Sequence, residues 1–300
     1  MSTKITNKEQ VEAFLESYDT FLFDCDGVLW SGTHLLPHVV ETIELLRSRG
    51  KRLIFVTNNS TKSRKAYTGK FAKFGITVSE NEIFGSAYSS AVYLSKVLNF
   101  PKDKKVLVVG EKGIEEELES VGINYIGGTD PAYNVEATDA SLASLARDES
   151  IGAVLCGLDL HLNYYKISKA LLQIQDPNCH FLATNIDSTF PSAGRLLPGA
   201  GTIVGTLITS SGRTPVALGK PSDEMMNCVK EAYHLDPSKT CMVGDRLNTD
   251  MKFGEKGGLG TFMVLTGVDK EETILGTNPL VTPKFYADRL GLLYELLQNN

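Results

Sequence analysis

The chain has 300 residues, of which 42% are apolar and 22% charged, with a formal charge of −6. The length predicts about two domains, each with an ample core. The acidic balance offers no basic field for nucleic acid or an anionic membrane surface, so an anionic substrate would depend on a local lysine or a bound cation.

Five cysteines (25, 156, 179, 228 and 241) are scattered, odd in number and without a C-x-x-C pair. This usage fits a reducing compartment rather than a disulfide framework. The first ten residues lack the apolar core of a signal peptide and the arginine-rich bias of a transit peptide. No apolar run approaches the roughly 20 residues needed to span a bilayer. A cytoplasmic location is the expectation.

Val11, Phe14, Leu15 and Tyr18 recur at helical spacing before a first strand, Thr20-Phe21-Leu22-Phe23. A helix over 38–49, ended by Gly50, leads to strand 52–56, and a helix carrying Tyr67, Phe71 and Phe74 ends at Gly75. This βαβα order predicts a doubly wound, parallel-sheet (Rossmann-like) α/β core. From residue 86 the pattern restarts: strands 105–109, 153–155 and 180–183 alternate with helices 114–121, 163–175 and 202–208, and 129–150 reads as a flexible stretch. After a polar turn at 210–213, strand 215–219, helix 222–234, strand 240–243, helix 248–256, strands 260–265 and 284–286 and a last helix complete the first unit. The expected organisation is a core of 1–85 and 213–300 with an inserted α/β cap domain over 86–212.

Four candidate groups each follow a strand-like run. Ligands bind outside the carboxyl ends of strands in open parallel sheets, so these groups are expected to converge. In Asp24-Cys25-Asp26-Gly27, residues i and i+2 share a face and both carboxylates can reach one substrate. Their mutual repulsion would be relieved by a divalent cation or a shared proton. In phosphoryl transfer one carboxylate attacks phosphorus while the other protonates the leaving oxygen and then activates water. Taken alone, Asp-x-Asp-Gly is equally a plain loop or a calcium-type turn. Cys25 between the acids reads as a core side chain rather than a redox-active thiol.

Thr57-Asn58-Asn59-Ser60 precedes a helix, where hydroxyl, amide and backbone N–H groups bind phosphate oxygens; ordinary N-capping is the alternative. Gly219-Lys220-Pro221 is not a nucleotide phosphate loop, because Thr214 and Pro221 stand where that motif needs glycine and Ser or Thr. Lys220 at a strand end can instead neutralise charge on a phosphoryl group. Asp245 offers Mg²⁺ an oxygen ligand. Asp250 either caps the next helix or orients Lys220 and the metal's water. No zinc site, G-x-S-x-G or dinucleotide fingerprint is present.

In order, Asp24-x-Asp26-Gly27, Thr57-Asn58, Lys220 and Gly244-Asp245…Asp250 resemble the four motifs of the haloacid dehalogenase superfamily. The strings Phe21–Trp30, Ile54–Thr61 and Met242–Asp250 are similar to its 4-nitrophenyl phosphatase and 2-phosphoglycolate phosphatase family, especially fungal members, and the likeness covers nearly the whole chain. The resemblance implies that Asp24 is the nucleophile and Asp26 the general acid/base. It implies Mg²⁺ held by the carboxylates of Asp24 and Asp245 and the backbone carbonyl of Asp26, with Asp250 behind them. It also implies that Thr57, Asn58, Asn59 and Lys220 grip the phosphoryl group, and that a cap is inserted between the second and third motifs.

The same resemblance places substrate selection in a cap loop over 184–195. Relatives that act on pyridoxal phosphate carry a histidine near Phe190, which weighs against that substrate here. Arg195 reads either as a partner for a substrate carboxylate or as a surface arginine. The expected activity is Mg²⁺-dependent hydrolysis of small phosphorylated metabolites, 2-phosphoglycolate foremost, with 4-nitrophenyl phosphate as an artificial substrate. Relatives also form homodimers through the cap. A protein phosphatase, a phosphotransferase and a non-catalytic metabolite-binding module are the alternatives, the last disfavoured by the intact set Asp24, Asp26, Lys220 and Asp245.

Overall fold

A computed structural model describes residues 2–192, 195–276 and 279–298. The chain divides into two compact units, one of Met1–Thr57, Thr68–Phe84 and Lys220–Asn300, the other of Asn58–Tyr67 and Gly85–Gly219. Among the described residues no helix is long and apolar enough to cross a membrane.

The first unit is built on a seven-stranded sheet in the order Thr3–Lys4, Phe285–Ala287, Gly260–Val264, Thr240–Gly244, Thr20–Phe23, Arg52–Thr57, Ile83–Gly85. The pairings from Thr3–Lys4 to Arg52–Thr57 are all parallel. Strands buried on both faces read as near-continuous apolar runs, as Phe21–Phe23 and Leu53–Val56 do. Alternating residues of one strand share a face, so Phe21 and Phe23 stack at 6.1 Å, Phe23 continues to Phe55 at 6.0 Å, and Phe55 meets Phe71 at 4.5 Å. After Thr20–Phe23 the chain winds outward through Arg52–Thr57 on one side. Its C-terminal strands wind outward from Thr240–Gly244 on the other. The switch point, where ligand sites of such sheets form, therefore lies between Thr20–Phe23 and Thr240–Gly244. The doubly wound core expected from the sequence is present.

The second unit carries a five-stranded parallel sheet in the order Val216–Ala217, His180–Ala183, Ile151–Cys156, Lys105–Val109, Tyr125–Gly127. Its strand residues alternate between two cores. Leu107, Val109, Val154 and Cys156 pack with helices Tyr164–Ile174 and Ala200–Ser211, while Val106, Val108, Ala153 and Leu155 pack with Ala87, Ala91, Ile114 and Leu118.

Two expectations are corrected. The strand before Lys220 was expected in the core sheet, yet Val216–Ala217 pairs with Leu182 and Ala183 in the second unit's sheet. A two-residue apolar stretch carries no mark of which sheet it joins. The single helix expected over 248–256 is a π-turn, Leu247–Met251, running into an α-helix, Lys252–Gly257; such π-segments concentrate at functional sites. Within 129–150 the chain forms a 3₁₀ turn, Pro131–Tyr133, and a short helix, Asp139–Ala143. Short pairs such as Thr3–Lys4 and the hairpin Trp30–Ser31/His34–Leu35 are too brief for periodicity to reveal.

Candidate active site

Asp24 leaves the end of strand Thr20–Phe23, and its backbone N–H donates to Val243 O at 2.9 Å. Asp245 leaves the neighbouring strand Thr240–Gly244 one step further on. Sheet register thus sets the two carboxylates side by side. After Gly244 the π-turn brings Asp250 back beneath the strand end, where its Oδ2 accepts from the backbone N–H groups of Asp245 and Arg246, both at 3.2 Å. A Cβ on Gly244 would fall 2.1 Å from Asp250 Cβ, so only glycine permits this return. Gly27, at φ +91°, lies so close to Asp245 that a Cβ there would sit 2.6 Å from Oδ2. Asp245 Oδ2 also accepts from Val268 N at 2.7 Å.

Lys220 is 2% exposed. Its Nζ stands 2.6 Å from Asp24 Oδ1 and 2.8 Å from Asp250 Oδ1, and donates to Val56 O at 2.8 Å. Asp24, Asp245 and Asp250 each offer an oxygen within 4.8 Å of the others. Three carboxylates therefore face one ammonium in a buried space. Burial pushes the Asp24 carboxyl well above its ordinary value; Lys220 opposes this, and the charges of Asp250 and Asp245 add to it. Burial, then the charge of Asp250, pushes Asp245 up to about 7 against the Val268 amide. For Lys220 burial acts downward, but the charges of Asp24 and Asp250 outweigh it and hold the ammonium above its usual range.

The excess of buried carboxylate over ammonium, the hard oxygen donors and the glycine that lets backbone approach Asp245 fit a divalent cation such as Mg²⁺. Asp24 and Asp245 would hold it. Both oxygens of Asp250 are engaged, one on backbone amides and one on Lys220, which suits a residue that orders the others.

Asp26 stands apart from the three clustered carboxylates. The strand ends at Phe23, so strand alternation does not govern the direction of Asp26; its carboxylate accepts from Trp30 Nε1 at 2.8 Å and meets Lys70 Nζ at 3.4 Å. The sequence reading missed Trp30 and Lys70, although Trp30 closes the Phe21–Trp30 string. Cys25 is fully buried, with its thiol pushed well above the ordinary range by burial and then by the flanking acids. It is a core side chain, as read.

Thr57 ends its strand in the first unit, buried. Asn58 and Asn59 belong to the second unit. There Asn58 Nδ2 donates to Asp187 Oδ2 at 3.0 Å, and Asn58 O accepts from Ser86 Oγ and Asn185 Nδ2. The helix expected directly after 57–60 begins only at Arg64, because Asn59 Oδ1 binds the N–H and hydroxyl of Thr61 in a local turn instead. Asp187 is a further residue that spacing did not reveal. Arg195 is exposed on the hairpin Thr189–Ser192/Arg195–Pro198; within the loop expected over 184–195, Ala193 and Gly194 lie outside the described residues.

The haloacid dehalogenase-like hydrolase family model matches residues 21–124, and a HAD-hydrolase-like model matches 217–293. Over 296 residues the chain is 50% identical to a 4-nitrophenylphosphatase of Schizosaccharomyces pombe, covering 98% of this chain and 99% of that protein. Over 286 residues it is 44% identical to the chloroplastic phosphoglycolate phosphatase 1A of Arabidopsis thaliana, covering 94% and 78%. Among solved structures, a glycerol phosphate phosphatase from Mycobacterium tuberculosis in complex with magnesium matches with a TM-score of 0.78 at 27% identity, covering 93% of this chain and 77% of that one.

Proposed function

The chain belongs to the haloacid dehalogenase-like hydrolases and is a phosphatase, and on that premise we propose that it hydrolyses small phosphorylated metabolites with Mg²⁺, through a phosphoryl group carried on Asp24. The observation that carries this reading is the buried cluster of Asp24, Asp245, Asp250 and Lys220 at the switch point of the core sheet.

In the first step an Asp24 carboxylate oxygen attacks phosphorus, the bond from phosphorus to the ester oxygen breaks, and the leaving alkoxide takes a proton from Asp26. In the second step the Asp26 carboxylate takes a proton from water as that water attacks phosphorus, releasing inorganic phosphate and restoring Asp24. Lys220 holds the nucleophile in place and offsets charge growing on the phosphoryl oxygens. Thr57 donates to those oxygens, and Asp250 fixes Lys220 and the backbone at Asp245. The carboxylates of Asp24 and Asp245 and the backbone carbonyl of Asp26 would hold Mg²⁺, which when bound would supply neutralisation of negative charge.

The favoured substrates are 2-phosphoglycolate and related small phospho-acids or phospho-alcohols, with 4-nitrophenyl phosphate as an artificial ester. The matched relatives named for 4-nitrophenyl phosphate, phosphoglycolate and glycerol phosphate support that class. Five free, buried cysteines support a reducing, cytoplasmic setting. The test is phosphate release from a panel of phosphorylated metabolites with and without Mg²⁺, alongside Asp24→Asn. Turnover of 2-phosphoglycolate that needs Mg²⁺ and vanishes in Asp24→Asn is expected; retained turnover in that variant would contradict the nucleophile assignment.

A further inference from the structure

Asp26 is gripped on one side only. Trp30 Nε1 donates to its Oδ1 at 2.8 Å, and Lys70 Nζ stands 3.4 Å from the same oxygen. Among the described residues, the hydrogen bonds that reach this carboxylate both fall on Oδ1. The grip is itself well anchored. Trp30 is fully buried, stacked on Phe74 at 5.4 Å and edge-on to Phe71 at 5.0 Å. Its backbone is tied into the loop of the acid pair by Gly27 N donating to Trp30 O at 2.7 Å. Lys70, from helix Arg64–Lys73, also lies 4.1 Å from the centroid of the Trp30 ring, a cation–π contact that holds ammonium and indole together.

A carboxyl group that donates a proton to a leaving oxygen must keep one oxygen and its plane on target, because general acid catalysis depends on short, aligned geometry. We propose that Trp30 and Lys70 are positioning residues for the acid–base aspartate: by occupying Oδ1 they fix the plane of the Asp26 carboxyl and present Oδ2 to the leaving oxygen. This inference rests on the phosphatase reading above and adds two side chains to it. In this role each acts through Asp26.

The role has a signature that a purely structural role lacks. Strongly basic alkoxide leaving groups need the proton of Asp26, whereas 4-nitrophenolate departs largely without it. The ratio kcat/KM reports only the steps through transfer of the phosphoryl group to Asp24, so the later attack by water does not blur the comparison. The experiment measures kcat/KM with Mg²⁺ for 2-phosphoglycolate, glycerol 3-phosphate and 4-nitrophenyl phosphate in the wild type, Trp30→Phe, Lys70→Met, Lys70→Arg and, as reference, Asp26→Asn.

Trp30→Phe and Lys70→Met are each expected to lower kcat/KM for the two alkyl esters by about tenfold or more and for the nitrophenyl ester by less than about threefold. Lys70→Arg is expected to recover most of the loss. Should Trp30→Phe fail to fold, Lys70→Met carries the test, since Lys70 is partly exposed. Parallel losses on all three esters, or no loss on any, would overturn the inference and leave the phosphatase reading standing. A wild type inactive on all three would overturn both.

Discussion

Lys220 Nζ stands 2.6 Å from Asp24 Oδ1, and both side chains are largely withdrawn from solvent. One ammonium here balances part of a three-carboxylate cluster. Removing one partner of a buried pair leaves an uncompensated charge and costs about 3–5 kcal/mol. Lys220→Met is therefore expected to lower metal-free stability by that order in chemical denaturation. In addition kcat should fall by about 10²-fold or more, through lost stabilisation of phosphoryl charge.

Asp245 gives a pH-dependent prediction. Its folded-state value of about 7 lies above the ordinary carboxyl value of 3.8, so between those two values this group binds more protons in the folded metal-free protein than in the unfolded chain. The stability contributed by this group is present below the lower value and is lost as pH rises through the upper one. Asp245→Asn removes that loss. In metal-free thermal or chemical unfolding the variant should match the wild type near pH 4 and exceed it above pH 7 by on the order of 4 kcal/mol. Conversely, Mg²⁺ should raise the unfolding midpoint of the wild type and leave Asp245→Asn unmoved.

Gly27 is a glycine for two reasons, its φ of +91° and the 2.6 Å that would separate an added Cβ from Asp245 Oδ2. Gly27→Ala should cost about 1–3 kcal/mol and, by displacing Asp245, raise the Mg²⁺ concentration for half-maximal activity. Titration of activity with Mg²⁺ reads both halves of the effect if denaturation is followed in parallel.

In the second unit, Lys166 and Asp159 form an ion pair at 2.8 Å with side chains 2% and 1% exposed. Asp159→Ala should destabilise by about 3–5 kcal/mol, whereas Asp159→Leu with Lys166→Met should recover most of that loss. Unfolding midpoints of the two variants decide the matter.

Arg195 is exposed on its hairpin. If it meets a substrate carboxylate through its planar donor fork, Arg195→Ala should raise KM for 2-phosphoglycolate several-fold and leave KM for 4-nitrophenyl phosphate unchanged. Equal KM values in variant and wild type would leave Arg195 a surface arginine.

The chain itself determined the identity of the site wherever function rests on residue type at a strand end. Apolar runs at Thr20–Phe23, Arg52–Thr57 and Thr240–Gly244 are long enough to mark parallel strands, and the residues following them are fixed by the covalent order. Asp24, Thr57 and Asp245 are legible for that reason as residues at or just past strand ends. Three-dimensional packing decided what short or irregular segments do. Val216–Ala217 joins the second unit's sheet because its edge partner is His180–Ala183, far away along the chain, and no local pattern encodes a pairing partner. The π-turn at Leu247–Met251, which brings Asp250 to Lys220, has no periodic signature. The grip of Trp30 and Lys70 on Asp26 joins residues 4 and 44 positions away, and the longer of these separations becomes a contact only when a helix packs against the loop. Local chemistry names the candidate groups; long-range packing, which alone sets directions and distances, aims them.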